Sequence, residues 1–563
     1  MRHRSPAHPP TKAYAPLPKI WLTHAEGHVD QDTHARHKTI ATVVARRGCS
    51  SPVGDGDDAD ELLEEEMPSI PSPLTELAPL LQEVIAQGLS FKDSEDVFAR
   101  RTTSQALRDL LLEDLPEQPT TAQEIWQDIS QRLLPYCVNM SSPRFMGFGD
   151  TGADPAALVA GVFAVLAQQN LINQSFCSPS GTMAEVAVIR WLRELIGYPT
   201  VAACEVTSVW EAGGITTYGG TGSNATAMML AREHAVPGTL TDGVRDPDRF
   251  GLVVPRGVGH YSVKSAAAWA GCGTHLVEVD TDHYRYDLTA LSRAVKDNTG
   301  RLMAVVAYAG DSRTQTVDHL RAVHDTVRAV DPQVWLHADA CWGLMAAFTP
   351  RRRHLLDGIE DFDSVTVDPH KVLNVPYGTS ALLVRDPAVL RTVSSYSDLI
   401  MQEDYAFGQV TPQLGTKEWT SLRAWAALRS QGRTGLAQLM DERLDRAREF
   451  AALVDAHPHL VRINDPDLCA VAFCYLPPGT RPGTATTTEV ARLNEVNRTI
   501  HRRLMDEGRW HLHQFTLPDD PGHIQHKAVL APLRFMSINP RITTAHMHDV
   551  LDYVTRLGNE ATR

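Results

Sequence analysis

Four short stretches of this 563-residue chain hold residue types that could do chemistry, and their order along the chain matters. Tyr218-Gly-Gly-Thr-Gly-Ser-Asn-Ala225 is a glycine-rich turn ahead of a helical run, Thr226–His234. Glycines bend tightly, and the free N–H groups of a following helix, with the hydroxyls of Thr221 and Ser223, form a cradle for phosphate. Gly220, Gly222 and Ala225 also satisfy G-x-G-x-x-A, so a dinucleotide site competes for the same residues. His260-Tyr-Ser262 follows a strand pattern at Leu252–Pro255. His337-Ala-Asp-Ala-Cys-Trp-Gly343 follows Val334–Leu336, and its Asp339 ends a buried strand, which is costly unless the acid meets a cation such as a pyridinium nitrogen. Asp368-Pro-His-Lys371 closes the strand Ser364–Val367. Lys371 is one of nine lysines among 53 basic residues and is flanked by Val365, Val367, Val372, Leu373 and Val375. Desolvation there is expected to lower its pKa and make its amine a nucleophile toward a carbonyl.

Each stretch alone has a plain structural explanation: a turn, a strand-end histidine, a helix cap, a salt-bridge partner. Together they meet the needs of pyridoxal 5'-phosphate, which takes a phosphate cradle, a ring-stacking group, an anion at the ring nitrogen and a lysine for its aldehyde. A dinucleotide would leave Asp339 and Lys371 unexplained.

The elements that must position these residues alternate. Candidate strands at Leu252–Pro255, His275–Val279, Met303–Tyr308, Val334–Ala338, Val365–Val367 and Ala381–Val384 are interleaved with helical stretches at Ser262–Ala270, Leu288–Asn298 and His319–Val330. That pattern predicts a doubly wound, parallel-type α/β sheet with ligands at the carboxyl ends of its strands. His260, Ser312, Asp339 and Lys371 all fall at such ends. Residues 1–73, rich in Pro, His and Asp, are expected to be a disordered extension. Residues 74–150 form an N-terminal helical segment, with a capping box at Thr121 and Glu124 and with Ile125, Ile129 and Leu133 sharing a face. A large domain is expected over 151–440 and a small C-terminal α/β domain over 441–563, beginning within a helical stretch from Trp419 to Phe450.

Composition narrows the classes. A formal charge of −15 argues against a general nucleic-acid binder. The longest apolar stretch, Ala156–Ala167, is too short to span a bilayer, and the first residues carry no secretory signal, so a soluble, cytoplasmic protein is expected. The eight cysteines include no CxxC pair. No metal is expected: the pairs His511/His513 and His546/His548 lack a placed carboxylate or thiol and read as surface residues.

Six blocks resemble, in order, those of the group II amino-acid decarboxylases, pyridoxal-phosphate enzymes of the aspartate-aminotransferase fold (fold type I). They are PRFMGF at Pro143, SPSGTMAE at Ser178, GGTGSNA at Gly219, HADACWG at His337, DPHK at Asp368 and LRFMSINPR at Leu533. The resemblance runs from about Ser142 to Arg556. Details such as HYS at His260 and HYRYD at His283 are most similar to bacterial tyrosine decarboxylases, with weaker likeness to valine decarboxylase. It implies that Lys371 holds the cofactor, Asp339 pairs with the ring nitrogen, His260 stacks on the ring, and Gly222 and Ser223 bind phosphate. His370 would contact the substrate adduct and Arg534 grip the substrate carboxylate. Ser312 replaces the family's usual threonine near the ring hydroxyl, in Gly-Asp-Ser where Gly-Thr-Thr is common, and Cys341 replaces an alanine beneath the ring. A loop tyrosine contributed across a homodimer, Tyr405 or else Tyr396, would protonate Cα. Phe148 stands where glutamate-specific relatives have glutamine, and Phe176 where the family has glutamate. The implied substrate is therefore a neutral amino acid, branched aliphatic or aromatic, with valine and tyrosine leading. Acidic amino-acid decarboxylation, aminotransfer and an inactive scaffold are the alternatives.

Overall fold

The computed structural model describes residues 77–149, 152, 154–273, 275–399, 406–410 and 415–563. Leu74–Arg563 forms one compact unit, and the expected extension over 1–73 lies outside the described residues. The central sheet has seven strands: β1 (Gly214–Thr217), β2 (Gly251–Pro255), β3 (Leu276–Val279), β4 (Leu302–Tyr308), β5 (Trp335–Asp339), β6 (Ser364–Val367) and β7 (Ser380–Val384). Their order is β1-β7-β6-β5-β4-β2-β3. β2 pairs in parallel with β3 and β4, β4 with β5, and β5 with β6. β4, β5, β6 and β7 are buried along their whole length. That burial explains why they read as continuous apolar runs without alternation.

The expectation of a parallel-type sheet needs one correction. β7 runs antiparallel to both β6 and β1. Between β6 and β7 the chain makes only a single helical turn, Pro369–Val372. Without a crossover helix it returns beside β6 in the opposite direction. β1, which the sequence pattern did not reveal, is four residues long and ends at the glycine turn. The helix after it spans Gly219–Ala235 and so begins seven residues before the predicted Thr226, taking the glycines into its first turns. Glycine is a poor helix former, but close packing overrides propensity here. A Cβ on Gly220 would lie 2.6 Å from Cys341 Sγ and 3.0 Å from each Asp368 carboxylate oxygen.

The C-terminal part carries its own antiparallel sheet of β8 (Leu460–Arg462), β9 (Ala470–Tyr475), β10 (His513–Gln514) and β11 (Leu533–Met536), in the order β8-β9-β11-β10. It has a separate core in which Phe450 stacks on Phe535 at 3.8 Å. Helices Thr487–Glu507 and Thr544–Ala561 both begin with capping boxes, and His546 uses its ring in the second of these. The expected boundary between 440 and 441 falls inside a helix, Ser421–Ala456, whose break comes earlier, at Gly432.

That long helix also braces the turn after Lys371. Arg443, fully buried, donates to the Val372 carbonyl at 2.5 Å and to Asn374 Oδ1 at 2.8 Å, while Asn374 holds a left-handed conformation at φ 53°. Asn374→Ala loses this hydrogen bond and puts a Cβ-bearing residue with no local compensation in that region. It should lower stability by about 2 kcal/mol in urea unfolding. An unchanged midpoint would show that the brace does not contribute.

Candidate active site

The strand order reverses between β2 and β4, and a cleft opens at the carboxyl ends of the strands beside that point. Each neighbouring strand delivers one group to it. β2 leads to His260, β4 to Gly310 and Ser312, β5 ends in Asp339 and continues to Cys341 and Trp342, and β6 leads to Asp368, His370 and Lys371. The helix beginning at Gly219 closes the opposite side with Gly219, Gly220 and Thr221. Register places Asp339 beside Tyr308 on one side and Thr366 on the other.

Lys371 Nζ lies 2.7 Å from Asp368 Oδ2 and 5.5 Å from the Trp342 ring centre. Sequence reasoning expected burial to lower the lysine pKa. Burial does pull it down, but the adjacent Asp368 carboxylate outweighs that and holds the pKa above its ordinary value. For Asp368 the same balance runs the other way: burial pushes its pKa up, yet Lys371 and then His370 bring it well below the usual carboxylate range. Asp368 was visible in the sequence as part of DPHK, but a counterion is a spatial fact, and no spacing announces it.

Asp339 accepts from Asn224 Nδ2 at 3.1 Å and from the Cys341 N–H at 3.2 Å. His260 caps the helix Tyr261–Trp269, its Nδ1 meeting the Ser262 N–H at 3.2 Å and Ser262 Oγ at 2.8 Å. Burial lowers the His260 pKa, against the nearby Asp339 charge. His370 Nδ1 donates to the Thr379 carbonyl at 3.0 Å. The Cys341 thiol is pushed well up by burial, which keeps it protonated and sluggish toward oxidants. Ser312 Oγ donates to the Gly259 carbonyl at 3.2 Å.

The Gly-Asp-Ser variation has a physical reason that the sequence did not disclose. Asp311 is buried and accepts from the N–H groups of Gly259, Arg313 and Thr314 and from Thr314 Oγ1, at 2.6 to 2.9 Å. It locks the loop after β4 to the loop after β2.

Two phosphate candidates are placed differently from their expectation. Gly222 and Ser223 do not line the cleft, and the Ser223 hydroxyl pairs with Thr217 Oγ1 at 2.7 Å. Gly219, Gly220 and Thr221 occupy that wall instead, at the positive end of a 17-residue helix. Tyr405 lies outside the described residues, and Tyr396 is largely exposed.

Arg534 sits at the boundary between the two sheets. It donates to the Ser312 carbonyl and, through Nη2, to the Gly147 carbonyl at 3.0 Å. Phe148 lies 5.8 Å from its guanidinium. His511 and His513, read from sequence as surface residues, in fact join this group. His511 stacks on Phe145 at 4.4 Å, and His513 lies 4.5 Å from Phe148 and opposite Arg534 in the β10–β11 register. Burial, with Arg534 and neighbouring imidazoles, lowers their pKa values to about 4 and about 3. Alternation along a two-residue strand was too short a pattern to show which way they point.

These groups define a fold type I pyridoxal-phosphate enzyme. The fit to the cofactor rests on a space that only a glycine at 220 leaves open, a buried carboxylate at Asp339, and a lysine at the lip of the cleft. A model of the pyridoxal-dependent decarboxylase conserved domain matches residues 104–476, and the chain belongs to that family. It is 25% identical over 472 residues to an aromatic-L-amino-acid decarboxylase of Bacillus atrophaeus, covering 82% of this chain and 90% of the relative. It is 27% identical over 470 residues to human cysteine sulfinic acid decarboxylase, covering 81% and 90%. Among solved structures, mouse CSAD in apo form superposes with a TM-score of 0.76 at 24% identity, covering 86% of this chain and 99% of that one. Oryza sativa TDC with PLP and tryptamine superposes with a TM-score of 0.75 at 19% identity, covering 88% and 99%. The chain is a pyridoxal-phosphate-dependent amino-acid carboxy-lyase. Among the described residues no helix is long and apolar enough to cross a membrane, and no cluster of three or more His, Cys, Asp or Glu could hold a metal.

Because the folded-state pKa of Asp368 is depressed, its contribution to stability is present above the ordinary carboxylate pKa of about 4 and is lost as pH falls through its lowered value. Asp368→Asn should therefore destabilise the cofactor-free protein at neutral pH, and the gap from wild type should narrow only well below pH 4. Urea midpoints across an acid series measure it. A gap independent of pH would mean that the ion pair is not its source.

Proposed function

We propose that the chain decarboxylates a neutral L-amino acid with an aromatic or branched aliphatic side chain, releasing CO2 and the primary amine, and that it does so as a homodimer. The aromatic wall beside Arg534 carries the substrate reading. Phe148 offers no hydrogen bond to a side-chain carboxylate, and the imidazoles of His511 and His513 are uncharged at neutral pH. With Arg534 committed to the substrate's α-carboxylate, an anionic side chain would lose its water there without a second matching charge, at greater cost than an apolar one suffers from imperfect contact.

The residues divide the work accordingly. Pyridoxal phosphate, when bound, supplies the electron-accepting ring that stabilises the charge left on Cα as CO2 departs. Lys371 Nζ would hold the cofactor through its aldehyde carbon. The amide N–H groups at the start of the Gly219–Ala235 helix and the Thr221 hydroxyl take the phosphate. Asp339 would pair with the ring nitrogen, and His260 would cover one ring face. Arg534 orients the substrate carboxylate, and the Tyr405 hydroxyl delivers a proton to Cα.

The homodimer is supported by an apolar surface that a monomer would leave wet. On the helix Pro155–Ala167, Val159, Phe163, Val165 and Leu166 are all more than half exposed, as is Phe176 nearby in sequence.

The first test is amine and CO2 release by the cofactor-loaded protein on valine, leucine, tyrosine, phenylalanine, glutamate, aspartate and cysteine sulfinate. Turnover of tyrosine, phenylalanine or valine is expected, with none in Lys371→Ala, and Phe148→Gln should lower kcat/KM for the neutral substrate about tenfold. Turnover confined to the acidic substrates would overturn the pocket reading. A second test mixes two inactive variants, Lys371→Ala and Tyr405→Phe, under subunit exchange. Partial recovery is expected, because a mixed dimer rebuilds one site from Lys371 of one chain and Tyr405 of the other. No recovery despite demonstrated exchange would remove the tyrosine from a cross-subunit role.

A further inference from the structure

Asn224 lies on the phosphate-side helix, 1% exposed, between two residues that face the cofactor cleft and one that does not. Its orientation is settled by chemistry. A carboxylate oxygen, Asp339 Oδ2, sits 3.1 Å away and can only accept, so the atom facing it is Nδ2. The same Nδ2 lies 2.9 Å from Ser262 Oγ and gives its second proton there. Asn224 Oδ1 is then an acceptor, and its partner at 3.0 Å is His337 Nε2, which must carry a proton. His337 Nδ1, 2.8 Å from Ser364 Oγ, accepts in turn. Ser364 can donate to it, because its own oxygen accepts at 2.8 Å from Trp335 Nε1, a group that only donates.

The chain continues on the cleft side. Ser262 Oγ, having accepted from Asn224, directs its proton to His260 Nδ1 at 2.8 Å, and the Ser262 backbone N–H points at the same nitrogen. The His260 proton is therefore on Nε2. From Trp335 to His260 one proton arrangement satisfies these contacts with all donors running the same way, and Thr366 Oγ1, 3.4 Å from His337 Nε2, can share that nitrogen's proton as a second acceptor.

We propose that His337, acting through Asn224, is the positioning residue that sets the proton pattern of the cofactor cleft, aiming one amide at Asp339 and Ser262 together and so holding His260 neutral with its proton on Nε2. His260 then serves as a ring-face group and fixed donor. It does not act as a proton acceptor, since Nδ1 already receives two donors and Nε2 is protonated. His337 has no exposed surface, and burial holds it at about 4, so it stays neutral across the physiological range. Asp339 is the charged group that acts on His337, while Asp339, Lys371, Asp368 and Arg313 act on His260.

Two measurements test this. The first is 15N NMR of the histidine-labelled full-length wild type, with and without pyridoxal phosphate, between about pH 5 and 8. His260 and His337 should both be neutral with the proton on Nε2 throughout. A proton on Nδ1 of either ring, or an imidazolium at neutral pH, would overturn the proposal. The second compares His337→Gln with His337→Leu. Glutamine keeps a donor for Asn224 Oδ1, whereas leucine fills the space without one. His337→Gln should bind pyridoxal phosphate close to wild type, and His337→Leu about tenfold more weakly, with an altered pH dependence of the bound cofactor's visible absorption. Equal behaviour of two folded variants in both readouts would reduce His337 to a packing residue and refute the proposal. Should either variant fail to fold, the wild-type NMR decides.

Discussion

Asp368 has no exposed surface, and a carboxylate in that position persists only because a cation stands 2.7 Å away. The cation is the Lys371 amine, the group proposed to hold the cofactor. This one ion pair constrains much of what surrounds it. The residue above it is a glycine, Gly220, since a Cβ there would lie 2.6 Å from Cys341 Sγ and 3.0 Å from both carboxylate oxygens. The pair places Lys371 on a turn too short to become a crossover, so β7 reverses the sheet. It also requires the turn to be held from behind, which Arg443 does by donating to Val372 and Asn374.

The rest of the cleft contrasts with that charged pair. His260 and His337 are pushed toward neutrality by burial, and so are His511 and His513 on the substrate side. Charge is concentrated where the cofactor would need it, at Asp339, Asp368 and Lys371, and at Arg534 on the boundary between the sheets. Neutral polar groups then fix direction without adding to the charge. In a low-dielectric site, a few well-supported charges act strongly, while additional ones would have to be solvated or paired.

The relatives include aromatic, acidic and sulfinic amino-acid decarboxylases at similar identities. A shared reaction therefore leaves the side-chain pocket free to vary. In this chain the pocket proposed above borders on Phe148, presented by a loop that packs against Trp342 through Gly149 and against His511 and His513 through Gly147. Changes of specificity can accumulate there without disturbing the strand ends.

The sequence by itself determined the sheet's central strands and placed His260, Ser312, Asp339 and Lys371 at the strand ends where the structure brings them into one cleft. Buried strands write themselves as apolar runs, and residues at strand ends stay in register with those runs. It did not determine the reversal at β7, the helical start at Gly219, the upward shift of the Lys371 pKa, the inward position of His511 and His513, or the Asn224–His337 network. The inward histidines and the Asn224–His337 network depend on groups far apart in the chain, whereas the Lys371 shift comes from burying a pair three residues apart and the β7 reversal from the short turn before it. Lys417 shows the same limit, reaching across more than two hundred residues to the carbonyl and hydroxyl of Thr216 at 2.6 and 2.8 Å. A counterion, a hydrogen-bond partner or a steric limit of this kind exists only once the fold has brought the two ends together. Local pattern records how a residue meets the core, and tertiary structure decides what it meets there.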